Sequence, residues 1–324
     1  MNGAEGPYFD ELSVGQRFDN APGATLTGGQ ASVHQAIVGD RLCLPLDAAL
    51  CAEVTGAPSL AHPALVWDLA IGQSTVATHH VKANLFYRGL VFRRAPELGD
   101  TLRTSTEVVA LRENKRREGR PPTGLAALRI TTVDQHDRPV LDFWRCAMLP
   151  LRDPATQTGH HDDLASVGAD PEMRAAVVDG WDLGRFARRV GGPRFAELEP
   201  GQAWDVGGGD VVSSAPELAR LTLNVAKVHH DSAAAGGARL VYGGHTIGLA
   251  LSQATRALPS IVTVVGWHGC DHRGPVHEGD TLRSTVTVEA VEPLAAGGLV
   301  HLRSRVSADG AGEVLDWRYV VAVA

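Results

Sequence analysis

Residues Gly99–Arg103 read GDTLR, and the same five letters recur at Gly279–Arg283. Outward from this pair, the run VLDF at Val140–Phe143 returns as VLDW at Val314–Trp317. Two matches in the same order, at nearly the same separation, indicate that the second part of the chain repeats the first.

Two further matches precede the GDTLR pair. Tyr8–Gln16 reads YFDELSVGQ and resembles RFAELEPGQ at Arg194–Gln202. Thr27–Gln30 and Ser214–Glu217 each place a hydroxyl residue three positions before Gln or Glu, which is the pattern of a helix capping box. Four ordered matches with a slowly drifting separation predict a tandem duplication, in which each copy begins with a capped helix.

The second half of each copy has the pattern of strands. Ala126–Val133 and Leu299–Val306 alternate between apolar and polar residues, as half-buried strands do. Val140–Met148 and Val314–Val323 are rich in β-branched and aromatic residues. One apolar helix followed by antiparallel strands predicts an α+β unit whose sheet curls around its helix.

The repeats set the expected domain boundaries. We expect an N-terminal unit at residues 1–150, a linker at 151–192 and a C-terminal unit at 193–324. Within the linker, Pro154–Asp163 is typical of an exposed segment. Pro171–Val190 could form one or two helices that cover an edge.

Composition excludes several classes of protein. The chain has 324 residues, 44% of them hydrophobic and 21% charged, with a formal net charge of -7, which disfavours binding to nucleic acid or an anionic membrane. No apolar run approaches the roughly 18 residues of a membrane span, and the start MNGAEGPYFDEL lacks the features of a secretory signal. Four scattered cysteines are typical of reduced thiols in a cytoplasmic protein: Cys43, Cys51, Cys146 and Cys270.

The stretch Asn224–Ala250, NVAKVHHDSAAAGGARLVYGGHTIGLA, carries the candidate chemistry. It places an amide, Asn224, five residues before an imidazole, His229. A glycine pair, Gly243 and Gly244, then opens an apolar segment with no proline before Pro259, which predicts a helix of about a dozen residues. The polar pair could hold a water molecule, and the free N–H groups at the helix start could hold a carbonyl oxygen that becomes negative during a reaction.

These residues resemble the MaoC-like dehydratase and (R)-specific enoyl-CoA hydratase family in its double hot-dog form. That family carries Asp-x-Asn-Pro-x-His-x-Asp, a Gly-led helix, and Pro-Val shortly before Gly-Asp-x-Leu. The matching segments here are Asn224–Asp231, Gly243–His245, Pro275–Val276 and Gly279–Leu282. The resemblance spans nearly the whole chain outside the linker and implies two antiparallel sheets, each wrapped around a central helix.

The resemblance also implies a reaction, the reversible addition of water to a 2-enoyl thioester of coenzyme A, with acyl carrier protein as an alternative carrier. It implies a role in fatty acid metabolism without a cofactor. His229 takes the place of the catalytic histidine, and the N–H groups of Gly243, Gly244 and His245 would hold the thioester oxygen. Asn224 stands where the family has aspartate, and an amide can orient water but cannot accept its proton.

The first copy departs further from the family pattern. Its corresponding stretch is Asp40–Asp47, DRLCLPLD, which keeps the aspartate at Asp40 but has Pro45 where the histidine should be. Proline offers no side-chain acid, base or donor. We therefore expect an inactive first copy that buries the sheet of the second copy and supplies a wall for the acyl chain.

Other residues have alternative interpretations. Either His229 or His230 could face the pocket, and the His-x-Asp spacing favours His229, although both could also be surface loop histidines. Asp231 is a further possible site residue. His268, Cys270 and His272 alternate on a predicted strand, so they could hold a metal or simply line the pocket; we expect no metal. A basic cluster could bind coenzyme A phosphates or form a solvated hairpin loop: Arg112, Lys115, Arg116 and Arg117.

Three functions from different classes remain open on the sequence. The first is an acyl-CoA hydratase or dehydratase. The second is a hot-dog thioesterase, which commonly needs a carboxylate near the helix, with Asp231 as the nearest candidate. The third is a non-catalytic acyl-CoA-binding protein, suggested by Asn224 and Pro45 at catalytic places. One chain would supply both units of a hot-dog dimer, and two chains could pair further as a homodimer.

Overall fold

The computed structural model describes residues 5–168, 173 and 175–324. The helices are α1 (Gly28–Val38), α2 (Cys43–Leu46), α3 (Ala48–Thr55), α4 (Pro63–Ser74), α5 (Leu183–Arg189), α6 (Ala215–Leu221) and α7 (Gly243–Ala257). The strands are β1 (Arg17–Phe18), β2 (Ala24–Thr25), β3 (Ala83–Phe92), β4 (Thr101–Glu113), β5 (Thr123–Val133), β6 (Pro139–Pro150), β7 (Ala203–Asp205), β8 (Asp210–Val211), β9 (Ile261–His272), β10 (Thr281–Pro293), β11 (Gly298–Ala308) and β12 (Gly312–Val323).

The strands form one antiparallel arrangement built from two copies of the same order. The first half gives β1-β4-β5-β6-β3, and the second gives β9-β12-β11-β10-β7. The two halves join edge to edge because β3 pairs antiparallel with β9, in a register that sets Tyr87 opposite Cys270. The α+β double hot-dog prediction is confirmed, with the two predicted sheets fused into one of twelve strands.

The central helices α4 and α7 pack against this sheet and against each other. Pro63 occupies the first turn of α4, and the ring of His62 accepts a hydrogen bond from the N–H of Ala64 at 3.1 Å, which begins the helix there. Near the other end, the side-chain amide of Gln73 donates to the carbonyl of Leu102 at 3.1 Å. The duplication is visible at atomic detail, because Gln253 and Leu282, their counterparts in the second copy, form the same bond at 2.9 Å.

The two predicted capping boxes had different outcomes. Thr27 and Gln30 form a reciprocal capping box at the start of α1, so that prediction is confirmed. The prediction for Ser214 is wrong, because its backbone is left-handed, with φ of 58°, and its hydroxyl makes no cap bond. A carboxylate oxygen of Glu278 instead accepts a hydrogen bond from the N–H of Ala215 at 3.3 Å.

The linker contains a 3-10 turn at Ala175–Val178 followed by α5. Helix α5 begins where the Asp182 side chain accepts a hydrogen bond from the N–H of Arg185 at 2.8 Å. The helices predicted for Pro171–Val190 are therefore present after residue 174, and the start of that range lies outside the described residues. Across the described chain, every helix is too short or too polar to cross a membrane.

Candidate active site

A cavity of about 350 Å³ lies between the two halves of the chain. It is bounded by the start of α7, by the turn before that helix, and by residues of strands β3, β6 and β9. The second half supplies Asn224, His229, Tyr242, Gly243 and His272, and the first half supplies Tyr87 and Arg145. Neither half alone would therefore enclose the cavity.

The His229 side chain is held as a neutral base. It ends a 3-10 turn at Lys227–His229, and its Nδ1 lies 2.9 Å from the carbonyl oxygen of Leu240, to which it donates. Burial lowers the pKa of His229 to about 4, so the ring is uncharged near neutral pH. The Leu240 bond fixes the tautomer and leaves Nε2 as a proton acceptor.

Asn224 is only 4% exposed, and it lines the same cavity. Its Oδ1 accepts a hydrogen bond from the N–H of Ala226 at 3.0 Å, which closes a tight turn before His229. The oxygen keeps one further lone pair, and the amide nitrogen offers two N–H donors. The predicted amide and imidazole therefore lie on one cavity, with the imidazole as acceptor and the amide as donor.

The start of α7 brings backbone N–H groups to the cavity. Among the described residues, the N–H groups of Gly243 and Gly244 have no hydrogen-bond acceptor. A Cβ atom on Gly243 would lie 2.7 Å from Nε2 of His272, and one on Gly244 would overlap Oδ1 of Asp68. Only glycine fits at these two positions; Gly243 lines the cavity, whereas Gly244 is buried against Asp68 and Tyr242.

The structure corrects the prediction that the N–H of His245 would help to hold the thioester oxygen. Its N–H already donates to the carbonyl of Tyr242 at 2.9 Å, and its ring is fully buried away from the cavity. Neither ring nitrogen has a hydrogen-bond partner among the described residues. Burial lowers the pKa of His245 to about 4, and it is a neutral packing residue.

His230 and Asp231 lie outside the residues that line the cavity. Nε2 of His230 lies 2.6 Å from the backbone carbonyl oxygen of Asn224, to which it donates. Asp231 is exposed and accepts a hydrogen bond from the N–H of Ala233 at 2.9 Å. The geometry therefore favours His229 over its neighbours, since the 3-10 turn directs only that ring to the cavity.

The basic cluster Arg112, Lys115, Arg116 and Arg117 lies at the β4–β5 hairpin and also does not line the cavity. Arg116 forms a salt bridge of 3.0 Å with Glu113 and donates to the carbonyl of Pro154 at 2.6 Å. These bonds tie the hairpin to the linker. Binding of coenzyme A phosphates by this cluster stays a prediction.

The alternating set on β9 does not converge on one point. His272 lines the cavity, Cys270 is buried in the core, and His268 lies 2.9 Å from His301 on β11. The described residues contain no group of three or more His, Cys, Asp or Glu side chains placed to hold a metal.

A buried polar network supports the cavity from behind, and sequence reasoning did not find it. The hydroxyl of Tyr242 lies 3.2 Å from Oδ1 of Asp68, and Nε2 of His34 lies 3.0 Å from Oδ2 of the same carboxyl group. Desolvation raises the pKa of Asp68, which is fully buried. Asp68 and Tyr242 belong to opposite halves of the chain, so no local pattern links them.

The first half keeps the turn but not the cavity. Oδ1 of Asp40 accepts a hydrogen bond from the N–H of Leu42 at 2.8 Å, which is the first-half counterpart of the Asn224–Ala226 bond. The space beside Pro45 measures only about 10 Å³. It is lined by Val177 and Trp181 of the linker, so the linker fills the place of a second cavity.

Comparison with known proteins gives the following similarities, while no family profile matches the chain. RV0216 of Mycobacterium tuberculosis, described as a conserved hypothetical protein with a double hotdog fold, is 55% identical, with 98% of both chains covered and a TM-score of 0.92. Beta-methylmalyl-CoA dehydratase of Chloroflexus aurantiacus is 29% identical over 86% of this chain and 80% of its own length. Mesaconyl-CoA hydratase of Cereibacter sphaeroides is 27% identical over 94% of this chain and 89% of its own.

The fused sheet and the shared cavity define a double hot-dog protein. A solved structure of a putative MaoC domain dehydratase from Chloroflexus aurantiacus has the same fold, with a TM-score of 0.86 at 24% identity. The chain belongs to the same double hot-dog family as RV0216.

Proposed function

We propose that this protein is an acyl-CoA hydratase or dehydratase, which reversibly converts a 2-enoyl-CoA to a 3-hydroxyacyl-CoA. The observation that carries the proposal is the shared cavity of His229, Asn224 and the open start of α7. The names of two relatives, a CoA-thioester dehydratase and a CoA-thioester hydratase, support the same class of reaction.

In the proposed reaction His229 accepts a proton from water through Nε2, and the resulting hydroxyl group bonds to the β-carbon of the substrate. The amide of Asn224 donates a hydrogen bond to the same water and orients it. The electrons of the double bond move toward the thioester, whose oxygen becomes an enolate. The N–H of Gly243, and that of Gly244 beside it, stabilises this charge together with the helix dipole.

The cycle closes when protonated His229 returns the proton to the α-carbon of the substrate. The net change is one water molecule added, and no cofactor is needed. A pKa lowered to about 4 suits this return step, because the buried imidazolium gives up its proton readily. Dehydration follows the same path in reverse.

A thioesterase is less well supported by the cavity. Among the described residues, those that line it include no Asp or Glu. Asp231, the predicted candidate, is exposed and bonded within its own turn. Release of free thiol from acyl-CoA, without loss of the enoyl absorbance, would favour a thioesterase instead.

The direct test is loss of function at His229. His229→Ala is expected to lower hydration of 2-butenoyl-CoA by at least about 100-fold, because general base catalysis contributes about that much or more. The loss of enoyl thioester absorbance measures the rate. His161, an exposed histidine whose ring bonds only to the nearby carbonyl of Gly159, provides the control as His161→Ala. Unchanged turnover in His229→Ala would refute the proposal, and binding of acyl-CoA without turnover by the unmodified protein would indicate the non-catalytic alternative.

A further inference from the structure

His272 is a second imidazole on the wall of the cavity. It is the last residue of β9 and lines the same cavity as His229. Its Nε2 is buried and has no hydrogen-bond partner among the described residues. The ring of Tyr87, from the first half, packs edge-on against the imidazole with centroids 5.8 Å apart and restricts its orientation. A buried polar nitrogen without a partner costs free energy, which a bound group that pairs with it would recover.

The ring of His272 lies directly beside the start of α7. A Cβ atom on Gly243 would be 2.7 Å from Nε2 and 2.8 Å from Cε1 of this ring. Cβ vectors in a helix tilt toward its N-terminus, and the first backbone N–H groups point the same way. The Nε2 edge of His272 and the N–H of Gly243 therefore border the same part of the cavity.

His272 is uncharged near neutral pH. Burial, with a smaller contribution from His229 nearby, lowers the pKa of His272 to about 4. A neutral imidazole carries one N–H, which can donate a hydrogen bond. Because a neutral ring does not readily give up that proton, it can stabilise an enolate oxygen by hydrogen bonding while His229 accepts the proton of water.

The duplication provides an internal comparison. His272 on β9 and Phe92 on β3 each lie opposite the leucine of the repeated VLD run, so the two residues occupy equivalent places. At the helix start, Pro63 of α4 is the counterpart of Gly243. Phe92 and Pro63 both border the small first-half space of about 10 Å³. The half without an open cavity therefore lacks both donors, the ring N–H and the backbone N–H, and the fold itself requires neither.

We propose that His272 is a further catalytic residue, whose Nε2–H donates a hydrogen bond to the thioester oxygen beside the N–H of Gly243. This inference rests on the proposed function, which places that oxygen at the start of α7. The oxygen becomes negative as the enolate forms, so the hydrogen bond strengthens toward the transition state. The donor therefore lowers the barrier more than it tightens substrate binding, and no proton is transferred through it.

The kinetic test removes the donor and then restores one. His272→Phe copies the first-half residue and should lower kcat for 2-butenoyl-CoA by at least about 100-fold, the effect of one lost oxyanion donor, with little change in KM. His272→Gln keeps a side-chain N–H and should retain at least about ten times the kcat of the phenylalanine variant. The exposed His161, changed to phenylalanine, is the control and should keep the full rate.

Infrared spectroscopy tests the same contact without turnover. Butanoyl-CoA is saturated and cannot be hydrated, and a carbon-13 label at its thioester carbonyl isolates the stretching band. Hydrogen bonds to the oxygen lower the frequency of this band on binding. His272→Phe should reverse part of that shift, and His272→Gln should reverse less of it. His272→Ala gives the same comparison if the phenylalanine variant does not fold.

The outcomes separate this inference from the hydratase proposal. An unshifted band in the unmodified protein, or equal bands in the unmodified protein and the phenylalanine variant, would overturn the role of His272. Unchanged kcat in that variant, together with loss of turnover in His229→Ala, would overturn it as well and leave the hydratase proposal standing. A band shift that depends on His272, without turnover of any enoyl thioester, would support the contact and refute the hydratase proposal. Failure of the unmodified protein to bind butanoyl-CoA would overturn both.

Discussion

The side-chain oxygen of Asn224 accepts a hydrogen bond from the N–H of Ala226 at 3.0 Å. This bond engages the amide oxygen in the turn, and the amide N–H groups are the side-chain donors that remain for a ligand. The family places aspartate here, and a carboxylate could use one oxygen for the same turn and the other as a second proton acceptor. The same turn at Asp40, where Oδ1 accepts from Leu42 at 2.8 Å, shows that a carboxylate fits this geometry.

Substitutions of Asn224 should distinguish two effects on the rate: orientation of the attacking water and acceptance of its proton. Asn224→Ala should lower kcat/KM for an enoyl-CoA by about tenfold, the effect of one lost hydrogen bond to the water. Asn224→Asp should match or exceed the unmodified enzyme, because the carboxylate can share in accepting the proton. Initial rates on 2-butenoyl-CoA measure both. An aspartate variant less active than the alanine variant would contradict the assigned role.

The pH dependence of hydration should reflect the low pKa of His229. Because burial lowers that pKa to about 4, the ring stays neutral and active as the pH falls from 7 to about 5. The kcat/KM should decline only as the pH approaches 4, where His229 gains a proton. Rates measured where circular dichroism shows folded protein provide the check. A half-maximal rate near pH 6.5, the ordinary value for histidine, would show that the base is not this buried ring.

His245 should weaken the fold in acid. The unfolded chain takes up a proton on this residue near pH 6.5, whereas the folded chain does so only near pH 4. Above about pH 6.5 this residue therefore leaves the free energy of unfolding unchanged. As the pH falls toward 4, that free energy decreases by up to about 3 kcal/mol.

Leucine stands at the equivalent place in α4, at Leu65, so His245→Leu is the matched variant. It should be at least as stable as the unmodified protein at pH 7, because no hydrogen bond is lost, and should lose less stability by pH 4. Urea unfolding at pH 4.5 and pH 7 measures the difference. The exposed His136, changed to leucine, is the control, and an equal pH effect in both variants would contradict the expectation.

Substitutions of Gly244 and of Asp68 should have coupled effects on the free energy of unfolding. A methyl group on Gly244 would overlap Oδ1 of Asp68 and would lie 2.6 Å from the ring of Tyr242, so Gly244→Ala should destabilise the fold by about 1–3 kcal/mol. The duplication gives this pair of positions a counterpart. There, Ala64 in α4 corresponds to Gly244, and Gly248 in α7 corresponds to Asp68.

The double variant Gly244→Ala with Asp68→Gly therefore copies a pair that the fold already contains. It should recover part of the lost stability relative to the sum of the two single variants. Recovery will be incomplete because Tyr242 and His34 lose their shared partner. Unfolding free energies of the four proteins measure the coupling, and strictly additive effects would show that the predicted clash is relieved in another way.

The sequence determined what depends on local periodicity and on spacing along the chain. The repeat of GDTLR and VLDF predicted two copies of one unit, and alternation in Ala126–Val133 predicted a strand that the structure has as β5. The glycine pair before an apolar run predicted the start of α7, because free N–H groups and helix periodicity are encoded within a few residues. Asn224 and His229 were likewise close enough in sequence to suggest a common turn.

Only the tertiary structure decided which distant residues share the cavity. Arg145 reaches it from the first half because β3 pairs with β9, and a pairing between strands from opposite halves of the chain leaves no local signal. The hidden ring of His245, the missing cap at Ser214 and the filling of the first-half space by Trp181 depend equally on packing partners that are distant in sequence. Local sequence fixes the elements and their polar groups, whereas the direction in which each side chain points is set by the neighbours that folding brings to it.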